Sequence, residues 1–277
     1  MAYFQKLFDF PDDPPRPRRT GRNMCLDDGL SITATRGVFE VAGSYIDSIR
    51  IGRGGAAAFP AGWLRAKAIL CSEYGIDLQT GGPLYEVAVA KARVGEFLAE
   101  SAKAGFTSVE FSENIISLTP KTTIEHLRMA EDAGLDVYFE FGRKYTNDEP
   151  MDPDAAAPVL LELLTAGVTG LTVERAEIDL VIDRHPEILR RLAELVGLEN
   201  LNFEIGPRTP HYPERFFQIF DPREVNLNNV ALEPASALDG IRIVANARRG
   251  LDRSVGYQYI RDIWKGTVNY GNHSAHT

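Results

Sequence analysis

The chain has few of the residues that mark a disulfide-stapled, zinc-binding or membrane-spanning protein. Its 277 residues include two cysteines and five histidines, and Cys25 and Cys71 lack the spacing of a metal-binding pair. We therefore expect both cysteines to be core thiols in a reducing compartment. No apolar run reaches the ~18 residues of a membrane-spanning helix, and the N-terminus has no signal-peptide core. These absences predict a cytoplasmic protein with no membrane partner.

The chain also lacks an excess of positive charge, since its formal net charge is -9. Nucleic acids and anionic membranes call for basic surfaces, so neither is expected as a partner. A local basic pocket for a small anion is still compatible with this balance. With 44% apolar residues, the chain can bury the core of one large α/β domain or of two smaller ones.

The two ends of the chain differ in composition from the middle. Residues 10–21, FPDDPPRPRRTG, are rich in proline and arginine, which is typical of an extended arm with solvated arginines. The final stretch, NYGNHSAHT, has little apolar material, so we expect a frayed end or a subunit contact there. We predict an N-terminal arm at 1–22, a central domain at 23–260 and a C-terminal tail at 261–277.

Between the ends, short β-rich runs alternate with amphipathic helical stretches. Gly105 and Gly134 follow two of these stretches, where the glycines that end helices are expected. Alternating strands and helices imply parallel pairing, and eight such units predict a single closed (β/α)8 TIM barrel of the α/β class. An open doubly wound sheet is the alternative. The predicted strands are 23–27, 47–52, 75–81, 107–112, 135–142, 169–174, 200–206 and 224–229.

One motif favours the open sheet. GRGGAA at 52–57 fits a G-x-G-x-x-A pattern, which is typical of dinucleotide-binding turns. However, it follows the second predicted strand, and Asp77 lies inside the next strand instead of at its end. A tight strand-to-helix turn explains the glycines more simply, and an anion site at the helix N-terminus beside Arg50 and Arg53 is an intermediate interpretation.

A glutamate recurs near the ends of four consecutive predicted strands, which read V-E-F-S, F-E-F-G, V-E-R-A and F-E-I-G. In a barrel, the C-terminal ends of the strands line the mouth, so these carboxylates should converge. Crowded carboxylates need cations, and oxygen ligands without histidine or cysteine favour Mg²⁺. Pairing with nearby arginines is the alternative. The predicted metal ligands are Glu110, Glu140, Glu174 and Glu204.

Cations and amides at the same strand ends indicate a pocket for a small anionic substrate. Lys144 lies among the carboxylates at the rim, where a lysine can donate a proton to a carbanion or enolate. A solvent-facing loop lysine is the alternative interpretation. The predicted substrate-binding residues are Arg50, Arg53, Arg208, Asn226, Asn228 and Arg249.

Several blocks of the sequence form a recognisable set. They are LDDG, IDSIRIG, GFTSVEFS, FEIGPR and EVNLNNV, with a GG-x-L-x-E block and a strand-five Glu-x-Gly-x-Lys as the most specific. Over residues 21–256, this set resembles the phosphosulfolactate synthase family. The resemblance implies a Mg²⁺-dependent (β/α)8 lyase that adds sulfite to phosphoenolpyruvate by conjugate addition, often as a homo-oligomer. It gives Lys144 the place of the family's proton donor, with Glu140 as the catalytic carboxylate residue before it.

Three strand ends depart from the family pattern. Arg50 stands where the family usually has lysine, SENII lacks the usual glycine after strand four, and VERAEID replaces a stretch containing glycine and arginine after strand six. We therefore expect the chain to share the fold and the reaction class of the family, whereas its substrate can differ. A diverged member with another nucleophile or unsaturated carboxylate, and a non-catalytic stress or scaffold barrel, are the alternatives.

Overall fold

The computed structural model describes residues 4–10, 12, 15–142, 149–206, 212–232 and 242–271, without the side chains of 266–271. At its centre, eight parallel strands pair in chain order, and the last pairs with the first to close a barrel. The predicted single (β/α)8 TIM barrel is confirmed, and the open-sheet alternative is wrong. The strands are β1 Asn23–Asp27, β2 Ser48–Ile51, β3 Asp77–Thr80, β4 Ser108–Ser112, β5 Asp136–Phe141, β6 Gly170–Val173, β7 Leu201–Glu204 and β8 Asn226–Ala231.

Helices connect the strands. Gly75, Gly105 and Gly134 follow three of them with φ of 60°, 93° and 72°, a backbone conformation that glycine adopts without strain. Among the described helices, none combines the length and the hydropathy needed to cross a bilayer. The helices are α1 Ile32–Ala42, α2 Gly55–Ala58, α3 Ala61–Tyr74, α4 Gly82–Ala90, α5 Val94–Ala104, α6 Pro120–Asp132, α7 Pro153–Thr165, α8 Arg175–Val181, α9 Pro186–Val196, α10 Tyr212–Ile219, α11 at 242–248 and α12 Gln258–Gly271.

The two faces of the barrel strands differ in chemistry. Side chains that point outward to the helices are mostly apolar, and Ile49, Val109 and Phe203 are 0% exposed there. Alternate residues point into the barrel. Arg50 on β2 contacts Glu204 on β7, and because these strands are not neighbours, the two side chains must meet in the interior. This alternation explains why a glutamate lies within the apolar run of β5.

The N-terminal arm packs across the end of the barrel where the strands begin. Arg16 donates hydrogen bonds to the carbonyl oxygens of Ile46 and Tyr74, both at 2.8 Å. Arg18 is 7% exposed and pairs with Asp47 at 2.8 Å. A buried guanidinium needs such partners because it has lost its water. The prediction that the arginines of the arm are solvated is therefore wrong for Arg18.

Candidate functional site

Three of the predicted glutamates meet inside the barrel, near the ends of their strands. Glu110 lies in β4, Glu140 lies in β5, and Glu204 is the last residue of β7. One carboxylate oxygen from each lies within 4.8 Å of those of the other two. The three residues are 1%, 4% and 5% exposed, in that order. We call these three residues the carboxylate cluster.

The guanidinium of Arg50 links two members of the carboxylate cluster. Its Nη1 donates to Oε1 of Glu204 at 3.0 Å, and its Nη2 donates to Oε2 of Glu110. Burial lowers the pKa of Arg50, while the carboxylates of Glu204 and Glu140 act in the opposite direction. A guanidinium stays charged in proteins. Arg50 therefore offsets part of the repulsion between the negatively charged carboxylates of the cluster.

Two amide side chains extend this network. Oε1 of Gln79 accepts a hydrogen bond from Nε of Arg50 at 2.8 Å. Asn229 accepts from Nη1 of Arg50 at 3.2 Å and donates to Oε1 of Glu204 at 2.5 Å. Oε1 of Glu204 thus receives donors from both Arg50 and Asn229, which fixes the orientation of its carboxylate.

A β-bulge in β8 brings Asn229 to this position. Asn23 pairs with Leu227 but Cys25 pairs with Val230, so β8 contains an extra residue relative to β1. Asn229 has a φ of 56°, in the left-handed region where asparagine is one of the few tolerated residues besides glycine. The consequence is that two consecutive amides, Asn228 and Asn229, both face the barrel interior.

The GG-x-L-x-E block packs the first turn of α4 against β4. The backbone N–H of Gly82 donates to Oε1 of Glu110 at 3.0 Å. A Cβ at Gly82 would lie 2.7 Å from Cβ of Ser112, so a larger residue could not approach this closely without displacing β4. Four residues later, Glu86 accepts a hydrogen bond from Oγ of Ser112 at 2.6 Å. The block therefore orients the carboxylate of Glu110.

Glu174, the fourth predicted metal ligand, has a different partner. It is the N-cap of α8, and its side chain accepts a hydrogen bond from the backbone N–H of Ala176 at 3.5 Å. Glu174 is near enough to influence the pKa of Arg50. Among the described residues, however, the group of close carboxylate oxygens contains only Glu110, Glu140 and Glu204. The structure therefore brings together three of the four predicted ligands.

Asn226 and Arg249 lie at the opposite end of the barrel from the carboxylate cluster. Asn226 is the first residue of β8, where it donates to the carbonyl of Leu201 at 2.9 Å and accepts from the backbone N–H of Arg22 at 2.9 Å. Arg249 follows α11, which returns the chain to that end, and its guanidinium lies 5.6 Å from the ring of Tyr45. The prediction that these two residues line the mouth is wrong.

Two further predicted substrate-binding residues differ in their exposure to solvent. Asn228 is 2% exposed inside the barrel and donates to Oγ1 of Thr172 at 3.2 Å. Arg53 follows β2 at the rim, where its side chain is 57% exposed and its Nε lies 3.4 Å from Oδ1 of Asp28. Arg53 is thus placed to meet a ligand entering from solvent, whereas Asn228 is buried in the barrel interior beside its in-register partner Glu204.

Lys144 and Arg208 lie outside the described residues. They follow β5 and β7, the strands that carry Glu140 and Glu204. Their roles as proton donor and anion ligand stay predictions.

Sequence reasoning missed three polar residues beside the site, namely Gln79, Glu86 and Asn114. Gln79 pairs in register with Arg50, so a residue-by-residue alignment of β2 with β3 would have found it. Asn114 donates from Nδ2 to Oε1 of Glu140 at 2.6 Å, and no pattern in SENII indicates this contact. The signal for Glu86 was its place in the GG-x-L-x-E block.

A buried ion pair supports the loop that follows β1. Nζ of Lys67 on α3 lies 2.6 Å from Oδ2 of Asp27, and both side chains are 0% exposed. Burial lowers the pKa of Lys67, and the carboxylate of Asp27 opposes this shift. Asp27 also accepts from the backbone N–H groups of Gly29 and Leu30, both at 2.8 Å. The pair fixes this loop at the end of the barrel where the carboxylate cluster lies.

The chemistry of the carboxylate cluster follows from its donor atoms. It offers carboxylate oxygens within 4.8 Å of one another. Oxygen ligands suit hard divalent cations such as Mg²⁺ better than they suit softer metals. A cation in such a site can bind and polarise an anionic substrate. The site is therefore suited to reactions in which negative charge develops next to a carboxylate.

Over most of its length, the sequence is similar to proteins of one family. The model of the (2R)-phospho-3-sulfolactate synthase (ComA) family matches residues 11–247. A phosphosulfolactate synthase of Methanothermobacter thermautotrophicus is 25% identical over 245 residues, which cover 85% of this chain and 94% of that protein. One from Methanocaldococcus jannaschii is 27% identical over 230 residues, covering 80% and 90%. One from Bacillus subtilis is 24% identical over 248 residues, covering 85% and 94%.

Proposed function

Because the chain belongs to the (2R)-phospho-3-sulfolactate synthase family, we propose that it catalyses the Mg²⁺-dependent addition of sulfite to phosphoenolpyruvate. The observation that carries the proposal is the carboxylate cluster beside Arg50, with carboxylate oxygens within 4.8 Å of one another. Its position near the carboxyl ends of the strands is where barrel enzymes carry out their chemistry. The proposed partner is a small anionic substrate.

The residues present fit the metal that the family resemblance implies. Glu110, Glu140 and Glu204 would hold Mg²⁺, since they are buried and offer oxygen donors alone. Glu174 remains a proposed fourth contributor from the end of β6. When bound, the ion would supply positive charge that binds the carboxylate of the substrate and stabilises charge developing on it.

Arg50 has a supporting role in this proposal. It bonds to Glu110 and Glu204, so it offsets repulsion between carboxylates that would otherwise favour protonation. Ionised carboxylates are the form that binds a cation. Arg53, at the rim, and Arg208 would bind the phosphate or sulfonate group through the forked donors of the guanidinium.

The proposed reaction forms a C–S bond and a C–H bond, and it breaks the π bond of the substrate and an N–H bond of the proton donor. The lone pair of the sulfite sulfur attacks C3 of phosphoenolpyruvate, the C–S bond forms, and the π bond between C2 and C3 breaks. The electron pair moves to C2 and the substrate carboxylate. Lys144 then donates a proton to C2 as general acid and is reprotonated from solvent. The phosphate ester is retained in the product.

A specific observation favours a second candidate, the same type of addition with a different unsaturated carboxylate or nucleophile. All three guanidinium nitrogens of Arg50 donate to protein acceptors. In that arrangement the guanidinium of Arg50 donates its hydrogen bonds to protein side chains. A lysine ammonium at the same place could instead be directed at a substrate anion. The recognition of the anion would then differ from that of relatives with lysine at this place.

The test is to incubate the purified protein with Mg²⁺, phosphoenolpyruvate and sulfite and to follow ³¹P and ¹H NMR spectra. We expect the vinyl proton signals to disappear while a phosphate ester remains, and we expect excess EDTA to stop the reaction. A Glu140→Gln variant serves as the matched inactive control. Unchanged phosphoenolpyruvate at high protein concentration would reject this reaction, and a panel of other unsaturated carboxylates and nucleophiles would then test the second candidate.

We also propose that the protein is a homo-oligomer, as the family resemblance implies. Size-exclusion chromatography with light scattering tests this proposal, and a mass equal to the 30.7 kDa chain would contradict it.

A further inference from the structure

The carboxylate of Glu86 accepts hydrogen bonds from the end of β4 and from the loop that follows it. Its Oε1 accepts from Oγ of Ser112 at 2.6 Å and from the backbone N–H of Asn114 at 3.1 Å. Its Oε2 accepts from the backbone N–H groups of Ile115 and Ile116 at 2.9 and 3.2 Å. Glu86 is 8% exposed. A buried carboxylate that binds three consecutive backbone N–H groups fixes the conformation of that segment.

The segment held by Glu86 reaches the carboxylate cluster. Nδ2 of Asn114 donates to Oε1 of Glu140 at 2.6 Å. The side chain of Ile115, next along the chain, is 76% exposed, so burial of this apolar residue does not anchor the loop. Ile116 packs against the core, so apolar burial and the hydrogen bonds of Glu86 hold the loop together, and Glu86 accepts directly from the backbone N–H of Asn114.

We infer that Glu86 is a positioning residue for the carboxylate cluster. It holds residues 114–116 so that Asn114 fixes the rotation of the Glu140 carboxylate relative to Glu110 and Glu204. The inference rests on the proposed function only in taking this cluster as the metal site. Removing a group that orients a metal ligand typically weakens metal binding by about 10- to 100-fold.

The same loop contains a matched control residue. Glu113 accepts hydrogen bonds from the backbone N–H of Leu118 at 3.1 Å and from Oγ1 of Thr123 at 3.3 Å. These contacts anchor the far side of the loop to α6. Glu113→Gln thus disturbs bonds of the same kind in the same loop but leaves the path from Glu86 through Asn114 to Glu140 in place.

The experiment measures Mn²⁺ affinity by electron paramagnetic resonance, because Mn²⁺ shares the preference of Mg²⁺ for oxygen ligands. Glu86→Gln places an amide NH₂ against backbone N–H donors, and we expect its dissociation constant to rise about 10-fold. We expect a similar rise for Asn114→Ala. The double variant should bind no more weakly than the weaker single variant, because both changes interrupt the same path. Glu113→Gln should stay within about 2-fold of wild type, because the hydrogen bonds of Glu113 run to Leu118 and Thr123 and share no partner with Glu140.

Thermal unfolding of each variant, measured in parallel, separates loss of stability from loss of affinity. If Asn114→Ala binds Mn²⁺ as the wild type does, or if Glu86→Gln and Glu113→Gln weaken binding equally, the inference is overturned. Asn114→Ala keeps the test decisive if Glu86→Gln does not fold. A wild-type protein that binds no Mn²⁺ would overturn the proposed metal site together with this inference. Normal binding by the variants would overturn the inference alone.

Discussion

At the scale of single residues, Arg50 determines how the interior of the barrel is organised. Its planar guanidinium contacts Glu110, Glu204, Gln79 and Asn229. These four acceptors come from β3, β4, β7 and β8. A lysine has one nitrogen and could not satisfy so many acceptors in this planar arrangement. Arg50 therefore connects strands that share no backbone hydrogen bonds with β2, apart from its neighbour β3.

The first prediction at this scale concerns Lys144, the proposed proton donor. We expect Lys144→Met to fold normally but to lower turnover by about 100-fold or more, which is the scale of general acid catalysis. The vinyl-proton NMR assay measures turnover, and circular dichroism checks the fold. Lys144→Arg is the matched control, since it keeps the positive charge but is a poor proton donor. Near-normal turnover in Lys144→Met would remove this residue from the mechanism.

At the scale of elements, the bulge in β8 is the feature that the sequence did not indicate. The predicted strand ran from 224 to 229, whereas β8 spans Asn226–Ala231. This shift moves Asn226 from the mouth to the opposite end and leaves Asn229 as the amide that contacts Arg50. Strand boundaries depend on pairing with β1 and β7, which a local pattern of residues does not contain.

The repeating glutamates show what the sequence could indicate. Glu110, Glu140 and Glu204 were found because strand ends in a barrel repeat the same environment, so aligned residues meet. Glu174 follows the same pattern, yet β6 ends one residue before it and its carboxylate caps α8. The contact between Asn114 and Glu140 could not be predicted, since it depends on the path of a loop held by buried hydrogen bonds.

The second prediction concerns the backbone strain in the bulge. Asn229→Ala and Asn229→Gly both remove the side-chain bonds to Arg50 and Glu204. Alanine must also adopt the positive φ of 56°, which costs about 1 kcal/mol or more for a residue other than glycine. We therefore expect Asn229→Ala to be less stable than Asn229→Gly by about that amount in urea denaturation. Equal stability of the two variants would show that the bulge relaxes.

At the scale of the whole molecule, the two ends of the barrel carry different chemistry. The carboxylate cluster lies near the ends of the strands, while a cavity of 450 Å³ at their beginnings is lined by residues that include Arg22, Asp77, Asp136 and Tyr138. Asp77 is exposed at the start of β3, yet partial desolvation of its carboxyl raises its pKa, and the nearby Asp136 and Asp47 raise it further, against the hydrogen bond from Thr107 and the charge of Arg16. Desolvation of the Asp77 carboxylate and, to a smaller extent, repulsion from its acidic neighbours should therefore lower stability at neutral pH.

The third prediction follows from the direction of that pKa shift. A carboxyl group whose pKa rises on folding contributes stability below its ordinary pKa of about 3.9, and this contribution is lost as the pH rises through the raised value. Asp77→Asn removes the charge. We expect its melting temperature to match wild type near pH 3.5 and to exceed it at pH 7, by about 2 °C at most.

Asp154 provides the comparison of opposite sign for this experiment. Hydrogen bonding to Arg191 lowers the pKa of Asp154, so its contribution to stability is present above the ordinary carboxyl pKa and is lost as the pH falls through the lowered value. Asp154→Asn should accordingly lower the melting temperature at pH 7 and have little effect in acid. A lower melting temperature for Asp77→Asn at pH 7 would contradict the predicted destabilisation by the Asp77 charge.

During synthesis, β1 is made long before β8, the strand that it must pair with to close the barrel. Next to β1, the backbone N–H of Arg22 bonds to Asn226 at the start of β8, across 204 residues of sequence. A ribosome that adds about 5–20 residues per second needs roughly 10–40 s to make that stretch. Throughout this interval β1 has β2 as its only strand neighbour, and its other edge is open to other nascent chains. Slow codons placed just before β8 should therefore increase aggregation without changing any residue of the finished protein.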